Sequence, residues 1–511
     1  KTFAETDPGF VHGSKYPTNQ HPIQGFTWSD FSAKPGYRYT YRIQALRGTP
    51  RLLQKFKEVT VDVETESEEG GNHDVFFNRG AAASQEYARR FGNRRPDVDN
   101  PNDARWAWLS RGAMEAIEAF TARAKNSSWG LRVAAYEFRL PEFAEALKSA
   151  HRRGADVQIL FDACNNPPEK DGHVFPRDDN RAMVRAAGIA GVSLERVTRS
   201  DVKNPPISHH KFVVLLKNGK ADAVLTGSTN FSKGGVYGQS NVVHIVEDPQ
   251  VANAYLKCWN LIAQNPPHDA LRAQLSGSNR IPAYKPPRGC MTIFSPQESK
   301  QALEWYGRLA HGAQDGLFMT FAFGVNKVFL YVYERGRAKL RYALLDKLLA
   351  PGVRKEKRPA AEEDMKRLRM MKENRFAVGN RLVTNRFDRW AKEALTGLNT
   401  HVQFIHTKFM LIDPLGDDPI VVTGSANFSD ASTLQNDENM LVIRGNKRVA
   451  DIYVGEYMRL WNHYAFREWA GKQEKPEEAE FKHLDTKNTW WKDYFGDTDR
   501  SRQRQYFSGT P

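Results

Sequence analysis

Two short segments of this chain each place a histidine two residues before a lysine, with apolar residues following. The first segment holds His209 and Lys211, and the second holds His406 and Lys408. Because successive side chains of a strand point to opposite faces, a spacing of two predicts that both side chains share a face. A serine follows each histidine after 19 residues, and an asparagine comes two positions later. These residues are Ser228 and Asn230 in the first segment, and Ser425 and Asn427 in the second.

These residue types suit a tetrahedral anion and its attack by an imidazole. The glycine before each serine permits close approach of the backbone, and serine and asparagine supply small hydrogen-bond donors. If the two segments face each other, one neutral histidine can attack phosphorus while the other, protonated, donates to the leaving oxygen. Lys211 and Lys408 would neutralise charge on the non-bridging oxygens, helped by the two asparagines. The pattern predicts a phosphodiester substrate and a covalent phosphohistidine, with no obligate metal and no cofactor.

The second segment resembles the signature motif of the phospholipase D superfamily, in which an aspartate follows His-x-Lys after four intervening residues. The motif runs from His406 to Asp413. Downstream, Gly424-Ser-Ala-Asn427 and Asn436-Asp-Glu-Asn439 are similar to the rest of that signature. The likeness covers about residues 105–470 and implies a phosphodiesterase.

The first segment departs from the family pattern. Leu216 stands where the motif has its aspartate, and Ser240 stands about where the second half has Glu438. Tyrosyl-DNA phosphodiesterases of the same superfamily also lack the aspartate, so its absence does not imply an inactive site. The family order implies that the N-terminal His209 is the nucleophile and the C-terminal His406 is the acid.

Several neighbouring residues have more than one possible role. Asp413 either ends a strand or orients a site residue, and Glu438 is either solvated or holds an imidazole in its working tautomer. Ser228 and Ser425 either contact the phosphate or only hold the turn. His210 points to the opposite face of a regular strand from its neighbour, so we do not expect it to be catalytic.

The elements around the two segments repeat, and this repeat decides the predicted fold. Leu131–Phe138 and Val157–Ala163 are predicted strands with a helix at Pro141–Arg153 between them, which predicts a parallel or mixed sheet covered by helices. Gly316–Phe323 and Leu340–Asp346 repeat the two strands ahead of the second segment. The predicted fold class is α/β, with two pseudo-symmetric phospholipase D-like α/β/α halves whose mixed sheets are flanked by helices.

The N-terminal region has a different pattern. Apolar and polar residues alternate over Tyr39–Ala45 and Val59–Thr65, with Pro and Gly turn signals between the two runs. This predicts strands of a small all-β sandwich similar to fibronectin type III or immunoglobulin domains. The predicted organisation is an irregular lead-in over 1–21, the sandwich over 22–80, a first half over 104–270, a second half over 290–470 with a basic helical insertion at about 347–395, and a tail over 471–511.

The charge of the chain leaves the substrate open. The net charge is +14, and residues 327–393 hold 19 Lys plus Arg against 9 Asp plus Glu. Such a stretch attracts nucleic acid or an anionic membrane, unless it is only a solvated helical face. The alternatives are hydrolysis of phospholipid head groups, hydrolysis of nucleic acid, and a non-catalytic module that binds phosphate or nucleic acid.

The sequence also supports a few broader expectations. It contains no run of about 18 apolar residues, so no transmembrane segment is expected. The compartment stays open between soluble, secreted and cytoplasmic. We expect a monomer in which the two halves form an intramolecular pseudo-dimer.

Overall fold

The computed structural model of this chain describes residues 1–7, 9, 16–30, 32–80, 85–92, 94–164, 176–197, 206–349, 353–379, 404–471 and 483–509. Its strands are β1 (Arg38–Thr49), β2 (Leu52–Glu64), β3 (His73–Phe77), β4 (Trp129–Ala135), β5 (Asp156–Asp162), β6 (Ser193–Arg196), β7 (Lys211–Lys217), β8 (Lys220–Gly227), β9 (Val242–Val246), β10 (Gly289–Ser295), β11 (Gly316–Phe321), β12 (Leu340–Leu345), β13 (Asn374–Val378), β14 (Phe409–Ile412), β15 (Ile420–Gly424) and β16 (Glu438–Arg444).

The helices lie between these strands. They are α1 (Gln85–Phe91), α2 (Ala104–Ser110), α3 (Ala113–Ala122), α4 (Pro141–Arg152), α5 (Arg177–Ala187), α6 (Pro249–Ala263), α7 (His268–Ser278), α8 (Gln301–His311), α9 (Lys327–Arg335), α10 (Arg358–Arg369), α11 (Asp430–Leu434), α12 (Lys447–Gly471) and α13 (Asp499–Ser508). Across the described ranges, none of the helices combines the length and apolar character that crossing a membrane requires.

Two seven-stranded sheets share one topology. Their strand orders are β3-β9-β8-β7-β4-β5-β6 and β10-β16-β15-β14-β11-β12-β13. In both sheets the last two pairings are parallel and the others antiparallel. The predicted pair of α/β halves with mixed sheets is therefore confirmed. The strands predicted from residues 131 and 316 are β4 and β11, and they occupy the same position in their sheets.

The two halves pack on a shared apolar core. In β7, Phe212 and Val214 belong to this shared core, while Val213 and Leu215 face a separate core under the outer helices. In β14, Phe409 and Leu411 belong to the shared core, and the side chains between them face the opposite way. Because these strands are buried on both faces, alternate side chains of one strand belong to two different cores. Helices α6 and α12 also contribute to the shared core.

The sandwich predicted over residues 22–80 is not found. The described residues of this region form one two-stranded antiparallel sheet, β1–β2, while β3 is the edge strand of the first seven-stranded sheet. The alternation in β1 and β2 is real, but the apolar face of this hairpin is exposed rather than covered by a second sheet. A period of two shows that a strand has two different faces, and it does not show what covers either of them.

Part of the basic insertion expected at about 347–395 is not an insertion, because it forms elements that the first half also has. Here α10 and β13 take the places that α5 and β6 have in the first half. The second half is longer mainly between β13 and His406, and residues 380–403 lie outside the described residues.

The aromatic residues of the C-terminal tail pack on Phe26, which precedes the β1–β2 hairpin. Phe26 lies 5.5 Å from Trp490, 5.3 Å from Tyr494 and 5.4 Å from Phe495, measured between ring centroids. The described part of the tail therefore forms one packed unit with the start of the chain.

Candidate active site

The two histidine segments lie just before the central strands β7 and β14, and each is joined to the other half by backbone hydrogen bonds. The backbone N–H of His209 donates to the carbonyl of Asp437 over 2.9 Å, and the N–H of Asp437 donates to Ile207 over 3.0 Å. On the other side, the N–H of Ser240 donates to the carbonyl of Phe404 over 2.9 Å. Each histidine segment is therefore positioned by residues of the opposite half that lie between the Gly-Ser turn and the strand that follows it.

A buried carboxylate at the end of an equivalent strand supports each segment. Asp162, the last residue of β5, accepts the N–H of Ser208 over 2.7 Å. Asp346, just after β12, accepts the N–H groups of Phe404 and Ile405, both over 3.0 Å. Burial raises the pKa of Asp162 to about 7. Sequence analysis missed this pair, although an aspartate at the same end of both repeated strands was a signal for it.

His209 is bound to a carboxylate of the second half. Its Nδ1 lies 2.9 Å from Oε2 of Glu438, and the hydroxyl of Ser425 donates to the same oxygen over 2.6 Å. The carboxyl is fully buried, and burial raises its pKa to about 7, an effect opposed by the Lys211 ammonium. A proton held on Nδ1 leaves the lone pair of the neutral ring on Nε2.

His406 has an amide in the corresponding place. Its Nδ1 lies 2.8 Å from Oδ1 of Asn241, which also accepts the hydroxyl of Ser228 over 2.8 Å. The amide nitrogen of Asn241 donates to the carbonyl of Gly235 over 2.8 Å, so its oxygen must face the imidazole. The arrangement again places the proton of the neutral ring on Nδ1.

Asn241 replaces Ser240 as the counterpart of Glu438, which corrects the sequence alignment by one residue. Both partners lie 13 residues after the serine of their turn, and 197 residues separate them, as they separate the two histidines. Constant spacing could therefore have identified Asn241. Ser240 acts on the backbone instead, since its hydroxyl accepts the N–H of His406 over 3.4 Å.

The two lysines have equivalent contacts. Lys211 Nζ donates to the carbonyl of His209 over 2.6 Å, and Lys408 Nζ donates to the carbonyl of His406 over 2.5 Å. Burial lowers the pKa of Lys211 to about 7, against the opposing effect of Glu438. Burial, with Lys211 next, lowers the pKa of Lys408 well below its usual value. The ammonium groups of the two halves are thus close enough to repel each other.

Burial also disfavours the charged form of both imidazoles. It lowers the pKa of His209 well below its usual value, and the Lys211 and Lys408 charges lower it further. The pKa of His406 is lowered by burial, then by Lys408, Lys211 and His209. Charged groups of each half therefore affect the imidazole of the other half. An anion bound between the lysines would oppose their effect and make an imidazolium easier to form.

The Gly-Ser turns need their glycines because the next strand passes close by. A Cβ on Gly227 would lie 2.2 Å from the carbonyl oxygen of Val242, and one on Gly424 would lie 2.2 Å from that of Asn439. The two serines are fully buried and bonded to Asn241 and to the carboxyl of the second half, so they orient the histidine partners.

The two asparagines place unpaired oxygens in the interior. The Oδ1 atoms of Asn230 and Asn427 are buried, and neither has a hydrogen-bond partner within the described part of the chain. Buried polar groups without partners are uncommon in folded proteins, and they are often completed by a ligand or water. The two amides thus have equivalent positions in the two halves, and phosphate binding through their N–H groups stays a prediction.

Asp413 lies at the far end of β14 and has a structural contact pattern. Its carboxylate accepts the backbone N–H groups of Gln314, Asp315 and Gly316 over 3.1, 2.7 and 3.0 Å. It therefore fixes the start of β11, and no hydrogen bond in the described chain joins it to a histidine. Leu216, its counterpart, is buried in the shared core.

Two further residues near the segments have distinct positions. His210 is fully buried, and its Nδ1 lies 3.1 Å from Nδ2 of Asn439, whereas the ring of His209 is bonded to Glu438. Glu137, just beyond β4, accepts the hydroxyl of Ser232 over 2.5 Å and raises the pKa of Lys211 by its charge. Sequence analysis did not include Glu137 among the site residues.

Comparison with known proteins finds a family model that matches one segment in each half. The family model described as "Cardiolipin synthase, PLD-like domain" matches residues 121–260 and 361–461. This match confirms the resemblance drawn from the motifs. No curated protein sequence matches the chain.

Several solved structures are similar in fold. The chain is 14% identical to phosphatidylserine synthase of Haemophilus influenzae Rd KW20, covering 70% of this chain and 85% of that one with a TM-score of 0.46. It is 25% identical to Nuc of Salmonella typhimurium, a phospholipase D family member, over 30% of this chain and 88% of that one, with a TM-score of 0.23. For polyphosphate kinase of Porphyromonas gingivalis, identity is 10% and the TM-score 0.41, over 70% of this chain and 48% of that longer one.

Proposed function

We propose that this chain is a phosphodiesterase that works through a phosphohistidine and requires no metal, since a PLD-like domain model matches a segment in each of its two halves. The observation that carries this proposal is the crossed pair of hydrogen bonds, from His209 to Glu438 and from His406 to Asn241. These bonds favour the same tautomer in both rings, and the charges of both lysines affect the pKa of each ring. A non-catalytic binding module would not need two oriented imidazoles.

The proposed reaction has two in-line steps. In the first, Nε2 of His209 forms a bond to phosphorus while the bond from phosphorus to the leaving oxygen breaks, and protonated His406 donates its Nε2 proton to that oxygen. In the second, His406 takes a proton from water, the water oxygen bonds to phosphorus, and the phosphorus–nitrogen bond breaks. Lys211 and Lys408 supply positive charge beside the non-bridging oxygens throughout.

We assign the nucleophile to His209 because its partner is the carboxyl group. Bonding of Nε2 to phosphorus leaves a positive charge on the ring, and a carboxylate beside Nδ1–H stabilises that charge better than a neutral amide does. The amide of Asn241 fixes the second ring without favouring its charged form as strongly. His406 is therefore suited to give up a proton and to recover one within each turnover.

For the substrate, we propose phospholipid head groups first and nucleic acid second. The basic stretch that favours nucleic acid is partly neutralised where the structure describes it, because several of its cations pair with carboxylates. These pairs are Arg367–Glu334, Arg369–Glu468, Lys372–Asp497 and Arg375–Asp499. The basic residues of 380–403 lie outside the described residues, and they keep nucleic acid as the second candidate.

The test is hydrolysis in the presence of EDTA. The protein is incubated with phosphatidylcholine vesicles and separately with DNA and RNA, and choline release and nucleic-acid cleavage are measured. We expect choline release that disappears in His209→Ala and persists in His151→Ala, a control at an exposed histidine. Cleavage of nucleic acid alone would exclude the phospholipid assignment. Absence of any cleavage, or activity only without EDTA, would contradict the proposed mechanism.

A further inference from the structure

The hairpin β1–β2 has two faces of different chemistry. Residues directly opposite each other in an antiparallel pair share a face, and alternate pairs share the same face. One face is apolar and aromatic along most of its length and ends in a lysine, while the other carries charged and polar groups. The first face consists of the pairs Tyr39–Val63, Tyr41–Val61, Ile43–Val59 and Ala45–Lys57. The second consists of Arg38–Glu64, Thr40–Asp62, Arg42–Thr60 and Gln44–Glu58.

The apolar face is exposed to solvent. Ile43 keeps 55% of its surface accessible, Val59 48%, Val61 44% and Val63 42%. No part of the chain that the structure describes covers these side chains. Contiguous exposed apolar surface of this kind marks a docking site far more often than scattered apolar residues do.

Aromatic residues with polar atoms extend this face towards the base of the hairpin. Trp28 lies 5.8 Å from Tyr41, which in turn lies 6.1 Å from Tyr39, between ring centroids. Trp28 and Tyr37 are themselves exposed. Tryptophan and tyrosine prefer the boundary between water and lipid because one end of the side chain is apolar and the other forms hydrogen bonds.

Charge is segregated along the hairpin. Residues 45–57 contain Arg47, Arg51, Lys55 and Lys57 without a carboxylate, and residues 58–69 contain six carboxylates without a cation. All three acidic residues of the two strands lie in pairs of the opposite face. The turn end and the apolar face therefore present positive charge beside apolar surface.

A few carboxylates lie near these cations and partly offset their positive charge. Arg51 is 3.8 Å from Glu5, and Lys55 is 3.6 Å from Glu58, with all of these side chains at least partly exposed. Asp30 lies beside the apolar face, where it accepts hydrogen bonds from Tyr41 and Ser32. Exposed pairs of this kind are weak, so these carboxylates leave the turn end able to attract an anionic surface.

We propose that the apolar face of this hairpin docks on a lipid surface that carries anionic head groups. Aliphatic and aromatic side chains would enter the interfacial region, and the cations at the turn would contact the head groups. A second copy of the chain fits less well, because a two-fold contact through this face would bury each Lys57 against the partner's apolar side chains or against its Lys57, with no strand carboxylate on that face to pair with it. Nucleic acid fits less well because four aliphatic side chains offer nothing to a phosphate backbone.

The experiment measures binding to vesicles in a variant that cannot act on them. The whole chain carrying His209→Ala is sedimented with vesicles of phosphatidylcholine, with or without phosphatidylserine. Val61→Glu adds a charge to the apolar face, and its matched control, Thr60→Glu, adds the same charge one residue away on the opposite face. Because hydrolysis is not read, the outcome is independent of the proposed phosphodiesterase activity.

We expect binding to vesicles with phosphatidylserine, weakened at least about tenfold by Val61→Glu and less than about threefold by Thr60→Glu. Lys57→Glu should also weaken binding, and added salt should do the same. Lys57→Glu provides a second test if the circular dichroism spectrum shows that Val61→Glu alters the fold. Three results would overturn the proposal: no vesicle binding, equal losses in the matched pair, or a dimer or DNA complex that Val61→Glu abolishes in place of vesicle binding.

Discussion

The His209 and His406 systems have the same geometry and different chemistry. In each, an imidazole N–H of one half and a serine hydroxyl of the other half donate to one oxygen, which lies in the same half as the serine. That oxygen belongs to a carboxyl in Glu438 and to an amide in Asn241. The backbone symmetry of the fold is therefore preserved while its charge symmetry is broken at a single functional group. The difference shows how a duplicated fold can give two equivalent histidines separate tasks.

The largest effect is expected from removing either histidine, and the leaving group should distinguish the two. His209→Ala should lower kcat/KM by at least about 10⁴-fold on every substrate, because no covalent bond to phosphorus can form. His406→Ala should still release one equivalent of p-nitrophenol from a p-nitrophenyl phosphodiester, since that leaving group needs no proton. Burst kinetics measures this, and a burst from His209→Ala but not from His406→Ala would reverse the assignment.

A smaller loss is expected from removing the charge of the carboxyl partner. Glu438→Gln keeps the size of the side chain but cannot stabilise the cationic ring, so kcat should fall about 10²-fold with little change in KM. The control is Glu145→Gln, at an exposed carboxylate of α4. A Glu438→Gln variant with the unaltered rate would show that the carboxyl does not take part.

The pH dependence of kcat/KM should reflect the ionisation of the same carboxyl group, that of Glu438. The pKa of Glu438 is raised to about 7, so ionisation, and with it kcat/KM, should increase as pH rises towards 7. The pKa of Lys211 is lowered to about 7, so its positive charge, and activity, should decrease above that pH. The groups facing the carboxyl are His209, Ser425 and the two lysines. We expect a bell-shaped profile that loses its acid limb, and keeps its alkaline limb, in Glu438→Gln.

Making the two systems alike should have a modest effect. Asn241→Asp would place a carboxylate beside each imidazole and raise the pKa of His406. The ring would then hold its proton more tightly, and activity should change by less than about tenfold. Measurement of kcat against pH checks this. A loss as large as that of His406→Ala would mean that the amide has a role beyond orientation.

The smallest effect on activity is expected at the aspartate of the family motif. Asp413 has a φ of 46°, which asparagine also tolerates, so Asp413→Asn should keep the backbone conformation. It would weaken the bonds to the three N–H groups before β11 and lower the free energy of unfolding by about 1–3 kcal/mol. Thermal denaturation and turnover per folded molecule check the two parts. A large drop in turnover would show that Asp413 contributes to catalysis.

The repeat made much of the site predictable. Equal spacing identified His209, Lys211 and their counterparts, because a duplicated strand and turn must keep their lengths to keep their hydrogen bonds. The counterpart of Glu438 was placed at about Ser240, one residue before Asn241. The sequence alone does not show which of two adjacent polar residues points inward after a turn, because that depends on the twist of a strand against its neighbours.

What the sequence by itself determined was the family, the two-half α/β architecture and the residues able to do chemistry, because these follow from motif spelling, spacing and the alternation of apolar residues. Only the tertiary structure decided which half supplies the partner of each histidine, and that the N-terminal hairpin has no second sheet over it. Both are contacts between segments far apart in the chain. Their formation depends on how folded surfaces meet, a property that no local pattern of residues encodes.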